Sequence, residues 1–244
     1  MSIAVSPSFG GKSVITNGLM VYYDTGHYSS YIGSGTALRD LSTLAVSNTA
    51  TLVNSPSFGT QSGQGVLNYN AVNLAVRPFA NVPNIGYTAS LSIVAMVQRS
   101  GNQNTYSGLV FSRNPAIINS AVGLSTGGFT PQANSNVSYS WYDNSNTWNF
   151  ESNLQLPNNT WCMIGLVVTA NTFANLYLNN NYVTNTSPRN VALLSNVAIG
   201  SDINFAGPAR NFTGNIGPVL IYNRALTQDE MNVNYQALRT KYGV

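Results

Sequence analysis

Residues 160–169, TWCMIGLVVT, form a nearly continuous apolar run, which is typical of a strand covered on both faces. The pair Asn171-Thr172 follows as a turn, and residues 174–178 (ANLYL) are predicted to return as the antiparallel partner. The next turn is predicted at 179–181, because asparagine tolerates positive φ. Residues 182–184 continue beyond it as a third strand. This meander predicts an all-β domain with 160–169 as a central strand.

Segments that alternate apolar and polar residues recur on both sides of this meander, separated by turn-rich loops, as in an all-β sandwich or barrel. In 90–98 (SLSIVAMVQ), alternation predicts one face formed by Leu91, Ile93, Ala95 and Val97 and another formed by Ser92, Val94, Met96 and Gln98. The other predicted strands cover residues 19–23, 50–53, 72–76, 108–112, 137–142, 148–151, 196–200 and 212–222. Pro218 has no amide hydrogen, so its strand is expected to be an edge strand there or to carry a bulge.

One helix is predicted at the C-terminus. Thr227 is placed as its N-cap and Glu230 at the third helical position, which together give a capping box. An apolar stripe at helical spacing follows, formed by Met231, Tyr235, Leu238 and Tyr242. Gly243 is expected to end the helix. We expect the stripe to pack across the sandwich and close it.

The composition excludes several classes of protein. Charged residues make up only 7% of the 244 residues, whereas Asn, Ser and Thr number 34, 27 and 20, so solubility depends on neutral polar side chains. No apolar run reaches the roughly 18 residues that a membrane-spanning helix needs, and residues 1–10 do not resemble a signal peptide. The ten Lys and Arg are scattered, which argues against a nucleic-acid partner. The single cysteine, Cys162, is expected to be an inert core thiol.

Residues 214–230, GNIGPVLIYNRALTQDE, resemble the closing segment of laminin-G-like, concanavalin A-like jelly-roll domains. The segments 18–24 (GLMVYYD) and 176–180 (LYLNN) are similar to the first strand and to a central hairpin of the same family. One departure is that Asn179-Asn180 replaces the usual Asp-Gly turn and so removes a carboxylate. The resemblance implies an antiparallel two-sheet sandwich with one short C-terminal helix. That fold hosts lectins, sugar-binding modules, adhesive domains, lyases and hydrolases.

Enzymatic chemistry is the least favoured of these functions. Jelly-roll glucanases carry Glu-x-Asp-x-Glu on one strand, and none of the seven acids here lies at such spacing. Asp143 and Glu151 could meet across a hairpin, but both are also ordinary loop acids. The single histidine, His27, lacks both the Gln-x-His motif of lyases and a nucleophile elbow. We therefore expect a non-enzymatic protein, with a lyase or hydrolase as an alternative.

Sugar binding requires an aromatic face surrounded by amides and hydroxyls, and residues 129–150 have that character. Alternation puts Tyr139 and Trp141 on one face and Tyr142 on the other, and one of these faces could simply be core. A second candidate is the loop 24–31. The predicted glycan-binding residues are Tyr139, Trp141, Tyr142, Asp143, Trp148, Tyr28 and Tyr31.

A calcium site is implied by the resemblance, since related domains often carry one at an edge of the sandwich. Calcium takes six to eight oxygen ligands, many of them carbonyl groups. The predicted anchors are Asp24 and Asp202, which both follow predicted strands. The alternative is that each aspartate only caps its own turn.

The low charge, the Asn, Ser and Thr content and the lack of a signal peptide favour a virion surface protein of phage capsid-decoration or tail type. Nearly charge-free faces also suit packing against other proteins. Its partners would be capsid or tail proteins and surface glycans, with a possible homo-oligomer and no membrane insertion. Residues 18–244 are expected to form one domain, and residues 1–17 either an anchoring arm or a loose or edge-pairing terminus. A lectin module outside any virion is the alternative.

Overall fold

The computed structural model describes residues 8–9, 12–42, 48–70, 76–114, 116–117, 120–127, 135–187, 192–202 and 210–244. Two large antiparallel sheets pack face to face within them, and a C-terminal helix covers the outer face of one sheet. The predicted β-sandwich is therefore confirmed, and its arrangement is consistent with a jelly roll. The strand predicted at 72–76 lies almost entirely outside the described residues.

The strands up to the middle of the chain are β1 (Ser8–Phe9), β2 (Lys12–Ser13), β3 (Leu19–Tyr23), β4 (Ala37–Leu38), β5 (Ala50–Val53), β6 (Ser57–Gln61), β7 (Gln64–Asn68), β8 (Phe79–Val82), β9 (Gly86–Thr88), β10 (Leu91–Arg99), β11 (Ser107–Ser112) and β12 (Val122–Thr126). The remaining strands are β13 (Val137–Trp141), β14 (Trp161–Thr169), β15 (Phe173–Leu178), β16 (Asn181–Asn185), β17 (Ala192–Leu194), β18 (Val197–Ile199) and β19 (Gly214–Tyr222). Within the described ranges, the helices are α1 (Ser145–Trp148) and α2 (Gln228–Tyr242).

The first sheet has the strand order β16-β15-β14-β10-β19-β7-β6, and β3 also pairs with β19. The apolar run 160–169 becomes β14, between β10 and β15, and the predicted meander β14-β15-β16 is present. Asn179 adopts φ 55° in its second turn, as the asparagine-rich sequence predicts.

The two faces of β10 confirm the predicted alternation. Leu91, Ile93, Ala95 and Val97 lie in the core between the two sheets. Val94 and Met96 face the other way and pack in a second apolar cluster beneath α2. Strands covered on both faces explain why the sequence shows nearly continuous apolar runs rather than simple alternation.

The C-terminal helix forms as predicted. The Thr227 side chain accepts a hydrogen bond from the Glu230 backbone amide, the Glu230 side chain accepts one from the Thr227 amide, and Gly243 ends the helix at φ 71°. All four residues of the predicted stripe are buried against the first sheet. Near its C-terminus, Lys241 Nζ lies 2.7 Å from a buried carboxylate oxygen of Asp24, which ties the helix to the end of β3.

The second sheet has the order β13-β12-β11-β18-β8-β5-β4, and its inner face completes the core. Its strand β12 was not predicted, because Gly123, Ser125 and Thr126 interrupt the apolar pattern in a short segment. The strand predicted at 148–151 is wrong: Trp148 is the last residue of α1, and residues 149–151 connect it to a bridge near Gln155.

Pro218 lies in β19. This strand pairs with β10 on one side and with β3 and β7 on the other, so it is not an edge strand. The register shifts opposite Pro218, between the pairs Ala95–Val219 and Val97–Ile216. The bulge alternative is therefore confirmed, because the bulge removes the need for a proline amide hydrogen.

Part of the predicted N-terminal arm packs on the domain. Val14 is buried in the cluster beneath α2, and the Ile15 amide donates to Asn234 Oδ1 at 2.9 Å. The hydroxyl of Tyr222 donates to the Ile15 carbonyl at 3.0 Å. Residues 14–15 thus belong to the packed structure rather than to a free extension.

Candidate functional site

A cavity of about 350 Å³ opens on the outer face of the second sheet, over β11, β12 and β13. We call it the aromatic cavity. Its lining combines aromatic residues, two arginines, one aspartate and two serines, namely Tyr106, Phe111, Arg113, Ser125, Tyr139, Ser140, Asp143, Trp148 and Arg210.

Strand alternation decides which side chains reach the cavity floor. Leu124 and Tyr139 belong to the core, so their neighbours Ser125 and Ser140 face outward. The Ser125 hydroxyl lies 2.9 Å from the hydroxyl of Ser138, its cross-strand partner. The floor is therefore a polar surface of small side chains that leaves room above it.

A glycine allows an aromatic ring to lie close to this floor. Gly123 has φ 146°, and a Cβ atom there would lie 2.3 Å from the Val110 carbonyl oxygen and 3.2 Å from the Phe111 ring. Because only glycine avoids the contact with the Val110 carbonyl oxygen, Gly123 lets the β11 backbone, which carries Phe111, lie this close to β12.

A network of four charged groups forms one wall. Arg113 donates three hydrogen bonds of 3.0, 3.0 and 3.2 Å to the buried carboxylate of Asp202. Arg210 Nη1 lies 3.5 Å from Asp202, and Arg113 Nη1 lies 3.4 Å from Asp143. Two cations and two anions thus hold each other in place, and both arginines and Asp143 keep part of their surface exposed to the cavity.

Trp148 is held over the cavity by the short helix α1. Asn144 caps the helix by accepting from the Asn146 amide, and the Thr147 hydroxyl accepts from the Trp141 amide at 3.0 Å. The same hydroxyl donates to the Asn144 carbonyl at 2.6 Å. The helix is therefore locked to the end of β13, and the position of the Trp148 ring follows from that anchoring.

Tyr106 forms the opposite aromatic wall. The Arg210 guanidinium carbon lies 5.0 Å from the centre of its ring, and its hydroxyl donates to Asn149 Oδ1 at 3.2 Å. Burial raises the pKa of Tyr106, and the nearby Arg210 partly offsets that rise. Burial also lowers the pKa of Arg210, against the opposing effect of Asp202. Because a guanidinium group ordinarily titrates far above neutral pH, Arg210 stays charged, and the wall presents a cation beside an aromatic ring.

The structure separates the aromatic residues predicted between 137 and 150. Tyr139 and Trp141 do not form an exposed face, because both side chains are fully buried in the core between the sheets. Tyr142 is 39% exposed and adopts φ 57°, but it does not line the cavity. Asp143, Trp148 and, although its side chain is buried, Tyr139 belong to the lining. Whether any of these residues binds a glycan stays a prediction.

The residues of the predicted second loop lie elsewhere. Tyr28 is 78% exposed, whereas Tyr31 is buried. The ring of Tyr31 contacts that of Phe58 edge-on, with the two ring centres 5.2 Å apart. His27 Nδ1 accepts from the Ser29 amide at 3.2 Å, which fits a loop histidine. Among the described parts of the chain, this loop does not line the aromatic cavity.

The sequence did not point to Arg113, Arg210, Tyr106 or Phe111, which come from other loops and strands. The signal available in the sequence was the scarcity of charge, because a chain with only ten basic residues offers few candidates for charged site residues. The pairing of arginines with a buried aspartate became visible only in the structure.

The predicted calcium anchors do not fit a calcium ion in this arrangement. Asp24 is engaged by Lys241 and by the amide of Gly26 at 3.0 Å, and Asp202 is engaged by Arg113 and Arg210. In each case a cationic side chain already neutralises the carboxylate and would repel a metal ion. No group of three or more His, Cys, Asp or Glu that could hold a metal occurs within the described ranges.

Other predicted reactive groups have structural surroundings. Glu151 accepts a hydrogen bond from Asn136 at 3.0 Å and does not line the cavity. Cys162 is a buried free thiol, and burial raises its pKa to about 11. Among the described residues, no helix has the length and apolar character needed to cross a membrane.

The two-sheet sandwich with a capped closing helix defines a lectin- and glucanase-like class of protein. The chain belongs to the Laminin_G_3 family of the concanavalin A-like lectin/glucanases superfamily, whose family model matches residues 71–232. This confirms the fold family that the sequence resembled. Among proteins of curated function, none matches the sequence.

Solved structures share the fold at low sequence identity. A mutant of Trypanosoma rangeli sialidase with trans-sialidase activity is 16% identical with a TM-score of 0.65, over 96% of this chain and 35% of that one. Domain 4 of a GH43 extracellular arabinanase from Geobacillus stearothermophilus, in complex with arabinotriose, is 18% identical with a TM-score of 0.55, over 90% and 98%. The binding domain of botulinum neurotoxin DC, in complex with SialylT, is 12% identical with a TM-score of 0.60, over 92% and 52%. The chain therefore spans about a third of the length of the sialidase.

Proposed function

We propose that this protein is a non-catalytic carbohydrate-binding module that holds a glycan unit in the aromatic cavity. The observation that carries this proposal is the convergence of aromatic rings, guanidinium groups, a carboxylate and hydroxyls in one cavity of about 350 Å³. That volume lies at the lower end of the range of about 300–1,000 Å³ typical of small-molecule sites.

The lining matches the two kinds of surface that a sugar presents. The rings of Tyr106, Phe111 and Trp148 can cover the C–H face of a pyranose or furanose. Asp143 can accept hydrogen bonds from hydroxyl groups, and the arginines can donate them. Because the Arg113–Asp202 pair fixes this wall before a ligand arrives, less conformational entropy is lost on binding.

The carboxylates support binding rather than hydrolysis. Glycoside hydrolysis by the usual mechanism needs two carboxyl groups on either side of the scissile bond. Within the described lining of the cavity, Asp143 is the only acid, and the neighbouring Asp202 is buried and held by Arg113. A hydrolase or lyase is therefore not the function that we favour.

Two structural neighbours support a binding role. The arabinanase domain is described in complex with arabinotriose, and the toxin binding domain in complex with SialylT. Both contain this fold in a unit that contacts carbohydrate, and the arabinanase domain matches this chain over nearly its whole length.

The test is a glycan array followed by titration calorimetry with the best ligand. Trp148→Ala is expected to weaken binding by about 10-fold or more, since a stacked aromatic ring contributes on the order of 1.4 kcal/mol. Tyr87→Ala is the matched control, because this tyrosine is 74% exposed and lies outside the cavity, so its loss should leave affinity unchanged. Circular dichroism would verify that both variants fold. A blank array, or loss of binding in Tyr87→Ala alone, would contradict the proposal.

We further propose, from the composition, that the module decorates a virion head or tail. A surface poor in charge suits packing against other proteins. The edge strand β6, whose five residues are all exposed and uncharged, offers such a surface for a capsid or tail protein or a second copy. Mass spectrometry of purified particles would have to find the chain at a fixed stoichiometry, and finding it only as free protein would refute this placement.

A further inference from the structure

We infer that a second cavity, on the opposite face of the sandwich, binds a neutral saccharide unit. This cavity has a volume of about 200 Å³ and lies on the outer side of the first sheet, between the β15–β16 turn and the first turns of α2. We call it the amide cavity because its rim is formed by Asn179, Asn180, Gln228, Asp229 and Asn232.

The position of the helix creates the gap. Met231 packs on Gly165, where a Cβ atom would lie 2.6 Å from the Met231 methyl group, so α2 packs on β14 at a position without a side chain. The β15–β16 turn is fixed independently, since Asn179 Oδ1 accepts from the Met163 amide at 2.9 Å and the Asn179 amide donates to the Met163 carbonyl at 2.7 Å. Two separately anchored elements therefore leave a preformed space between them.

The floor of the amide cavity is apolar and partly aromatic. Met231 and Tyr177 line it, and both side chains are otherwise buried in the cluster beneath α2. Tyr177 stacks on its cross-strand partner Tyr182, with ring centres 5.2 Å apart and planes inclined by 28°. Tyr182 is 41% exposed, so the aromatic surface continues outward from the cavity. A floor of this kind suits the C–H face of a sugar ring.

The rim offers hydrogen bonds that suit hydroxyl groups. Asn180, Gln228 and Asn232 are exposed, and each carboxamide both donates and accepts. Asp229 adds an acceptor and is the only charged residue in the described lining, which contains no basic side chain. An anionic ligand would therefore be repelled, and a neutral polyhydroxylated one is the class that fits.

The size of the amide cavity limits the ligand to a small unit. At about 200 Å³ the amide cavity has little more than half the volume of the aromatic cavity, which suits a single sugar ring. The aromatic cavity is larger and carries two arginines, so the two sites are expected to prefer different sugars. Because the two cavities lie on opposite faces of the sandwich, one molecule could bridge two glycan chains. Only this consequence rests on the proposed function.

The experiment is a ¹H–¹⁵N correlation NMR titration of the full, uniformly ¹⁵N-labelled chain. The probes are maltotriose, cellotriose, xylotriose, mannotriose and arabinotriose, with 3′-sialyllactose as the anionic comparison. We expect at least one neutral probe to shift the side-chain amide signals of Asn180, Gln228 and Asn232. The indole signal of Trp148 reports on the aromatic cavity in the same spectra, so failure of one site is distinguishable from failure of the other.

Gln228→Ala removes one rim amide and is expected to weaken binding of that probe by about 3- to 10-fold. Gln61→Ala, an exposed glutamine on the edge strand β6, is the matched control and should leave binding unchanged. The inference is overturned if no neutral probe shifts the rim signals at 20 mM, if 3′-sialyllactose binds there as tightly, or if both variants weaken binding equally. Persistence of the rim shifts in Trp148→Ala would establish that the second site is independent.

Discussion

The arginine–aspartate wall of the aromatic cavity makes a strong prediction for the stability of the fold. Arg113→Met removes the three hydrogen bonds that the Asp202 carboxylate receives from Arg113 and leaves that carboxylate buried. Removing one partner of a buried ion pair costs about 3–5 kcal/mol when the remaining charge has no compensation. Because Arg210 stays 3.5 Å from the same carboxylate, we expect about 2–3 kcal/mol here. For a domain of this size, that corresponds to a fall in Tm of about 5–10 °C.

The assay is urea unfolding followed by circular dichroism, combined with a double-mutant cycle. Asp202→Asn removes the buried charge itself, so the double variant Arg113→Met/Asp202→Asn is expected to recover more than half of the loss, with a coupling energy above about 1.5 kcal/mol. Arg39→Met, at an exposed arginine away from the cavity, is the control and should change stability by less than about 0.5 kcal/mol. The wall does not hold the site together if Arg113→Met and Arg39→Met lower the free energy of unfolding by the same amount, or if the coupling energy is near zero.

Three further predictions concern single positions. The pKa of Glu230 is lowered from 4.5 to about 2, chiefly by its hydrogen bonds from Arg224. A depressed carboxyl pKa stabilises the fold above pH 4.5, and this stabilisation disappears as the pH falls towards 2. Glu230→Gln should therefore lower the free energy of unfolding at pH 7 and lower it much less at pH 2, as measured by urea unfolding. Gly123→Ala should cost about 2 kcal/mol or more in thermal melts, because its Cβ would lie 2.3 Å from the Val110 carbonyl oxygen. Cys162, with its pKa raised to about 11 by burial, should not react with a disulfide reagent at pH 8 until urea unfolds the chain.

The controls for these three use matched positions. Asp229→Asn changes an exposed neighbouring acid of the same helix, and a pH dependence equal to that of Glu230→Gln would contradict the role of the Arg224 pair. Gly35→Ala also has positive φ but meets no atom within 4 Å, so an equal loss there would show that backbone strain, and not the clash, explains Gly123→Ala. Fast labelling of the native thiol would contradict the burial of Cys162.

How far the sequence predicted the fold depends on how local each signal is. The helix α2 was predicted with its cap, stripe and end, because the capping box and the helical spacing are properties of one short stretch of chain. The meander β14–β16 was predicted for the same reason, since asparagine turns and apolar strands adjoin in sequence. By contrast, residues 148–151 were mistaken for a strand, because Trp148 and Phe150 alternate with polar residues as in a strand. A helix forms there instead, because Asn144 caps it and the Thr147 hydroxyl accepts a hydrogen bond from β13.

The candidate site was predicted only in part. Asp143 and Trp148, which line the aromatic cavity, were among the predicted residues because they are adjacent to the aromatic segment around β13, and their role in binding stays a prediction. Tyr139 and Trp141 were also predicted to bind, and their side chains lie in the core, because alternation alone cannot tell which face of a strand meets the other sheet. Arg210 and Tyr106 reach the cavity from loops far apart in the chain, and no local pattern in the sequence indicates that the two residues are close in space.

The sequence by itself determined that this chain is an all-β domain closed by a capped helix, because period, turns and caps are properties of neighbouring residues. The two-sheet sandwich was implied by the resemblance to jelly-roll domains. Only the tertiary structure decided which faces are core and which enclose a ligand-sized space. The order of strands in the sheets brings Arg113, Asp202 and Arg210 together on one outer face, and the packing of α2 beside the β15–β16 turn leaves the amide cavity on the other. Such contacts depend on packing between segments far apart in the chain, and that information is not present in any short stretch of sequence.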